Sequence, residues 1–311
     1  MEKILVTGGA GYKGSMLIPM LLERGHKVVI YDNFMFGPQA ILHFSSHPNL
    51  EIVEGDVRDA NRLAEVVRKC DTVIHLAGIV GFPACAADPD QANTVNVNGS
   101  LNLAMAMSKL QRLMYASTGS TYGVVDGSCD ETSPTNPLSL YGRNKLDSER
   151  IFQDRLDNLV LFRFATVFGI APRLRVDLLI NDFVHQALHN KQIIMYEGHH
   201  KRTFIHIKDC AKVYPFALDH WDEMNGEIYN VGDERGNYSK KEIAEMIRKV
   251  IPYYLHEADI GEDADKRDYT VKYDKIKKLG YEWSINVEDG IDEIIKVMRF
   301  VRFKNPWRNH G

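Results

Sequence analysis

Residues 3–14 read Lys3-Ile4-Leu5-Val6-Thr7-Gly8-Gly9-Ala10-Gly11-Tyr12-Lys13-Gly14, and a helical pattern follows over 15–23. The apolar run 3–7 has the continuity of a strand buried on both faces, which belongs in a parallel sheet with helices above and below. Between strand and helix, glycines permit a tight turn, let the backbone approach a phosphate and allow the helix to pack closely on the strand. The helix amino terminus directs its positive end to the same point. Gly8, Gly11, Tyr12, Lys13 and Gly14 are therefore expected to cradle the pyrophosphate of a dinucleotide.

Outward from this stretch, Lys27-Val28-Val29-Ile30-Tyr31 reads as a second strand that ends at Asp32, about 20 residues beyond the cradle. A carboxylate there accepts hydrogen bonds from both hydroxyls of an adenosine ribose and repels a 2′-phosphate. With Asn33 and Phe34 following, rather than arginine, NAD is expected over NADP. Further buried runs at 50–53, 72–76, 113–117 and 159–164 alternate with helical stretches. The alternation predicts an α/β, doubly wound parallel sheet spanning residues 1–170. From about Ala171 it weakens, which suggests a smaller substrate-binding lobe over 171–311. The run Glu227-Ile228-Tyr229-Asn230-Val231-Gly232 reads as one more buried strand, so a return to the main sheet is expected near 228–232.

The chain has 311 residues, 44% hydrophobic and 26% charged, enough to bury a large core. A formal net charge of −4 gives no global positive field for nucleic acid or anionic lipid. Met1-Glu2-Lys3 leads straight into apolar residues without the basic start of a signal peptide, and no apolar run approaches the ~20 residues of a membrane span. Cys70, Cys85, Cys129 and Cys210 form no CxxC pair, so neither disulfides nor a zinc site is expected. A cytoplasmic location follows as the expectation.

Tyr141-Gly142-Arg143-Asn144-Lys145 opens a helical stretch running to about Gln153, and its i, i+4 spacing puts Tyr141 and Lys145 on one face. A free phenol has a pKa near ~10, so its use as a base near neutrality needs the phenolate stabilised by roughly 4–5.5 kcal/mol. A neighbouring ammonium and a positively charged nicotinamide supply that.

Together with Gly55-Asp56-Val57, His75-Leu76-Ala77-Gly78, Asn96-Val97-Asn98-Gly99 and Ser117-Thr118 before Tyr122-Gly123, these motifs resemble the extended short-chain dehydrogenases that act on nucleotide sugars. The resemblance covers essentially the whole chain. It implies that Tyr141 is the base, that Lys145 lowers its pKa and holds the nicotinamide ribose, and that Thr118 hydrogen-bonds the reacting oxygen. It also implies that Asp56 and Val57 flank the adenine, that Leu76, Ala77 and Gly78 line the inner edge of the cofactor, and that Asn98 and Ser117 complete the cofactor set. Sugar 4,6-dehydratases of this family follow the catalytic threonine with an Asp-Glu pair, whereas Gly119 and Ser120 stand here. Neither shuttles protons for water loss, so the chemistry is expected to stop at hydride transfer. Thr166 stands where many relatives carry an asparagine that contacts the substrate diphosphate.

Lys201-Arg202-Thr203 and Lys266-Arg267-Asp268 bring cations from distant segments, and two guanidinium groups clamp a diphosphate bidentately. The resemblance favours Arg202 and Arg267 as that pair, with Asn181 as a further contact. His199, His200 and His206 lack the carboxylate or fourth donor of a metal set, so no metal is expected. Cys85 lies in the loop after the fourth strand, within the region of ligands, but a buried inert thiol is the preferred reading. Stretches 164–183 and 260–269 look most similar to the branch that includes GDP-mannoheptose 4-dehydrogenases.

Two functions compete: hydride removal from a nucleotide-sugar carbon, C4 first, by a 4-epimerase or 4-dehydrogenase; and a non-catalytic NAD-binding regulatory or scaffold protein. The latter class commonly loses the Tyr/Lys pair, which this chain keeps. Finally, the run 98–110 is apolar nearly all round, and one face of it is expected to meet a second copy in a homodimer.

Overall fold

The structure, a computed structural model, describes residues 1–258 and 268–301. Strand β1 (Lys3–Thr7) leads through the glycine turn to α1 (Gly14–Glu23), followed by β2 (Lys27–Asp32), β3 (Leu50–Glu54), α2 (Ala60–Val67) and β4 (Thr72–His75). Two short helices, α3 (Phe82–Ala87) and α4 (Pro89–Asn93), and a π-helical turn at Thr94–Asn98 precede α5 (Gly99–Ala106) and β5 (Arg112–Thr118). After β6 (Val124–Cys129) come α6 (Leu140–Arg155), β7 (Leu159–Phe164) and β8 (Thr166–Phe168). The remainder comprises α7 (Leu179–His189), β9 (Gln192–Met195), β10 (Lys201–His206), α8 (Ile207–Asp219), α9 (Trp221–Met224), β11 (Ile228–Val231) and β12 (Asn237–Ser239). It closes with α10 (Lys240–Val250), β13 (Tyr254–Glu257), β14 (Asp268–Val271), α11 (Asp274–Lys277) and α12 (Val287–Met298).

Seven parallel strands form the main sheet in the order β11-β7-β5-β4-β1-β2-β3. Its strand order reverses at β1, whose Val6 pairs with Ile30 of β2 on one side and Ile74 of β4 on the other. Ligands of doubly wound sheets bind outside the strand carboxyl ends at such a switch point. One face of the sheet is covered by α1 and α8, with Leu17, Leu21, Phe162 and Tyr214 in that core; the other is covered by α2, α5 and α6, with Leu63, Leu103 and Phe152.

The run 227–232 does form a sheet strand, β11, but the chain is already back on the main body at α8, which packs against α1. Segments before α8 and after β11 build a separate core of Phe168, Ile180, Phe183, Phe204, Ile243 and Ile294. Its strands pair in small sheets, β12-β10-β8 and β13-β9, which is why the regular alternation fades after residue 166. The helix expected over 98–110 is shorter than its apolar pattern. It stops at Ala106, where Met107 turns extended and Gln111 fastens the chain by donating to the carbonyls of Val67 (2.7 Å) and Cys70 (2.6 Å). No helix among the described residues is long and apolar enough to cross a membrane.

Candidate active site

A cavity of about 800 Å³ opens at the carboxyl ends of β1, β2, β4, β5 and β7 and extends under the lobe. Its geometry begins with the glycine turn. Gly8 has φ +70°, and a Cβ on it would stand 2.6 Å from the Ala77 nitrogen; a Cβ on Gly14 would stand 2.4 Å from the Gly9 oxygen. The turn is thus folded tightly onto the end of β4 and onto itself, as only glycine allows. The N–H groups of Ser15 and Leu17 bond to Gly11 and Lys13 carbonyls, whereas those of Tyr12, Lys13 and Gly14 carry no acceptor among the described residues. Such a nest of free donors at a helix start suits an anionic phosphate.

Asp32 lines the same cavity at the end of β2. Its two oxygens accept from Ala10 N–H (2.9 Å) and Phe34 N–H (2.8 Å), which fixes the carboxylate while leaving further lone pairs for a ligand. Burial pushes its pKa up and these two hydrogen bonds oppose that shift. Asp56 and Asn33 also line this end; Asn33 Nδ2 donates to Asp56 (3.1 Å), and Arg58, missed in the sequence, pairs with Asp56 at 2.7 Å. The Arg58 hydrogen bond draws the Asp56 pKa down to about 2.

At the other end, Ser139 caps α6 by accepting from Gly142 N–H (3.1 Å), which sets Tyr141 and Lys145 at the helix start facing the cavity. A Cβ on Gly142 would lie 2.8 Å from the Ser120 carbonyl, so glycine lets α6 press against the turn that follows Thr118. Thr118 lines the cavity, and its hydroxyl donates to Ser120 Oγ at 3.1 Å. Lys145 is buried and donates to the Ala116 carbonyl at 2.8 Å. Burial first, then the charge of Lys13, bring its pKa down to about 7.

Val57, Leu76, Ala77, Gly78, Ser117 and Thr166 also line the cavity. Asn98 does not: it is exposed, whereas Asn96 is buried behind the lining. Residues two apart on a helix point to nearly opposite sides, so only one asparagine of the motif can face the sheet. Asn96 holds Ile79 through both backbone groups (2.7 and 3.0 Å), and a Cβ on Gly78 would meet its Oδ1 at 2.9 Å. Asn181 also departs from expectation. It is fully buried, and its amide is taken up by Gly169 N–H (3.0 Å) and by the carbonyls of Gly169 (3.2 Å) and Arg175 (2.8 Å), so it latches a loop. Arg202 is 2% exposed in β10, outside the cavity lining, and Arg267 lies outside the described residues. Cys85 is sealed, donates to the Ile79 carbonyl at 3.3 Å, and burial raises its pKa to about 11: an inert thiol.

Two arginines that the sequence reading passed over do line the cavity. Arg175, half-buried and paired with Asp177, lies close enough to Tyr141 for their charges to interact; Arg173 covers the Phe36 ring at 4.3 Å. The Arg-x-Asp spacing was the available signal for the first. His206 is held by Glu293 at 2.8 Å, and among the described residues no group of three or more His, Cys, Asp or Glu side chains gathers as a metal site.

Fold and site together define a dinucleotide-binding protein of the short-chain dehydrogenase type, with Tyr141, Lys145 and Thr118 around one end of the cofactor cleft. The chain belongs to the NAD dependent epimerase/dehydratase family, whose model matches residues 4–232. It is 32% identical to a UDP-glucose 4-epimerase of Corynebacterium glutamicum over 80% of either chain. Among solved structures it resembles the UDP-glucuronic acid 4-epimerase of Bacillus cereus, in complex with UDP-glucuronic acid and NAD: TM-score 0.83, 27% identity, 95% of this chain and 98% of that one. The dTDP-glucose 4,6-dehydratase DesIV of Streptomyces venezuelae, with NAD bound, gives TM-score 0.84 and 25% identity, covering 94% and 96%.

Proposed function

We propose that this protein uses NAD to take hydride from a ring carbon, C4, of a nucleoside-diphosphate sugar, as a 4-epimerase or 4-dehydrogenase and not as a 4,6-dehydratase. The observation that carries the reading is one cavity lined both by Asp32 and the glycine cradle and by Tyr141, Lys145 and Thr118. The cradle fits a dinucleotide: its tight glycines, free N–H groups and fixed ribose carboxylate leave room and partners for pyrophosphate and adenosine. When bound, NAD supplies the hydride acceptor.

The chain's own groups do the rest. Tyr141 takes the proton of the sugar hydroxyl as the carbon is oxidised, and Lys145, an ammonium poised near neutrality, stabilises the phenolate. Thr118 orients the reacting oxygen. Gly119 and Ser120 offer no acid–base pair for water loss, which separates this site from dehydratase chemistry. Thr166 faces the cavity as a polar contact for the substrate. Two copies are proposed to associate through α5 and α6.

The test is a panel of UDP-, GDP-, dTDP- and CDP-sugars with mass detection. An epimer or a ketone from one of them supports the reading and shows whether hydride is returned; a 4-keto-6-deoxy product, or no conversion while NAD binds, overturns it.

A further inference from the structure

The cavity holds a cationic side chain, that of Lys13, for which the backbone cradle described above has no use. Lys13 is the residue immediately before α1, where the aligned peptide dipoles disfavour positive charge. Its ammonium lies 3.5 Å from the centroid of the Phe164 ring, at the end of β7, and it forms no hydrogen bond or ion pair among the described residues. The other cations facing the cavity hydrogen-bond to protein oxygens: Arg58 to Asp56, Arg175 to Asp177, Lys145 to the Ala116 carbonyl and Arg173 to the Leu174 carbonyl.

A half-buried ammonium beside a helix amino terminus is costly until an anion joins it. Burial lowers its pKa, and it in turn acts on Lys145, so two like charges share one cavity. The N–H groups of Tyr12, Lys13 and Gly14 wait for an acceptor at the same turn. An anion bound there satisfies backbone and side chain together. A glycine-rich turn by itself offers pyrophosphate only backbone N–H groups and the helix dipole; here the sequence places a full charge within the cradle, over an aromatic ring.

We propose that the Lys13 side chain is a direct ligand of the dinucleotide pyrophosphate, adding one full charge to the backbone cradle. The proposal rests on reading the cavity as the dinucleotide site, and its consequence is tighter cofactor retention. Pairing with an anion also relieves the repulsion between Lys13 and Lys145, so binding of the dinucleotide prepares the Tyr141 partner for its role.

The experiment is calorimetric binding of NAD, ADP-ribose and adenosine to the nucleotide-free full chain, as wild type, Lys13→Met and Lys13→Arg. Methionine keeps the stem over Phe164 and removes the charge. It is expected to weaken NAD and ADP-ribose at least ~10-fold, the scale of a charge-assisted hydrogen bond, and adenosine less than ~2-fold. Arginine retains most of the affinity, and the ligand-free melting temperature of Lys13→Met stays level or rises as the partly buried, unpaired cation is removed. Unchanged ADP-ribose affinity in Lys13→Met, or an equal loss for adenosine and ADP-ribose, overturns the proposal while the cofactor reading stands. Failure of wild type to bind any of the three overturns both.

Discussion

The carboxylate of Glu149 on α6 and the guanidinium of Arg163 on β7 stand 2.7 Å apart, with side-chain exposures of 1% and 5%. Arg163 Nε adds contacts of 3.1 and 3.3 Å to the same carboxylate, and the Ser117 hydroxyl donates to it. Arg163 also lies 5.0 Å from the Tyr122 ring centre, and the Tyr122 hydroxyl donates to Asn230 of β11 at 2.7 Å. The helix that carries Tyr141 and Lys145 is thereby tied to the end of β5 beside Thr118.

Removing one partner strands the other charge in the interior. Glu149→Ala is expected to cost about 3–5 kcal/mol of unfolding free energy, and Glu149→Ala with Arg163→Met to recover much of it. Urea unfolding of the cofactor-free protein measures both. A double variant as unstable as the sum of the two singles would contradict the account.

The sheet was legible because strands buried on both faces are continuous apolar runs, and five of them precede the Tyr141 motif. That the glycine turn, Asp32 and the Tyr141/Lys145 pair share one cavity was legible because each is marked by its local spacing after a strand or along a helix. Glu149, Arg163 and Arg175 were not, since their partners come from segments that only folding brings together. Asn96 and Asn98 were confused because the motif holds both, and the π-helical turn that orients them has no compositional mark. Asn181 looks like a ligand-binding amide in sequence, but the backbone of Gly169 and Arg175 claims it.

Tyr141→Phe removes only the oxygen proposed to accept the proton. Turnover is expected to fall at least ~10²-fold while cofactor binding and melting temperature hold, because the ring still fills its place at the start of α6. Steady-state rates on the substrate found in the sugar panel test this. Near-wild-type turnover with intact NAD binding would remove Tyr141 as the base.

His75, at the end of β4, is fully buried between Thr7 Oγ1 (2.7 Å) and Ser100 Oγ (3.3 Å), and burial, with a smaller push from Lys145, lowers its pKa to about 3. Between the ordinary value near 6.5 and about 3, the unfolded chain binds this proton and the folded chain does not. Stability from this group is therefore whole above pH ~6.5 and falls by about 1.4 kcal/mol per pH unit below it. His75→Gln should flatten that part of the curve. Urea midpoints of both proteins at pH 7.5, 6 and 5 give the comparison, and parallel curves would show that His75 is not the source.

The last prediction concerns the outer face of α5 and α6, which pack side by side on one face of the sheet. Met105 is 66% exposed on α5, with Arg155 Nη1 3.1 Å from its sulfur, and Leu110 just beyond is 89% exposed. Along α6 the exposed residues Arg143, Asp147, Arg150 and Asp154 alternate in sign at helical spacing. A stripe of alternating charge beside an exposed methionine is self-complementary under a two-fold rotation, in which each arginine of one copy meets an aspartate of the other. A homodimer is the expected state, though with a more polar rim than the all-apolar helix read from residues 98–110, because α5 stops at Ala106. Asp147→Arg with Asp154→Arg makes the stripe wholly positive and is expected to drive the copies apart without unfolding either. Light scattering across a range of micromolar concentrations reads the result. Wild type at the mass of one 35.4 kDa chain throughout, or a charge-reversed variant that stays paired, removes this interface.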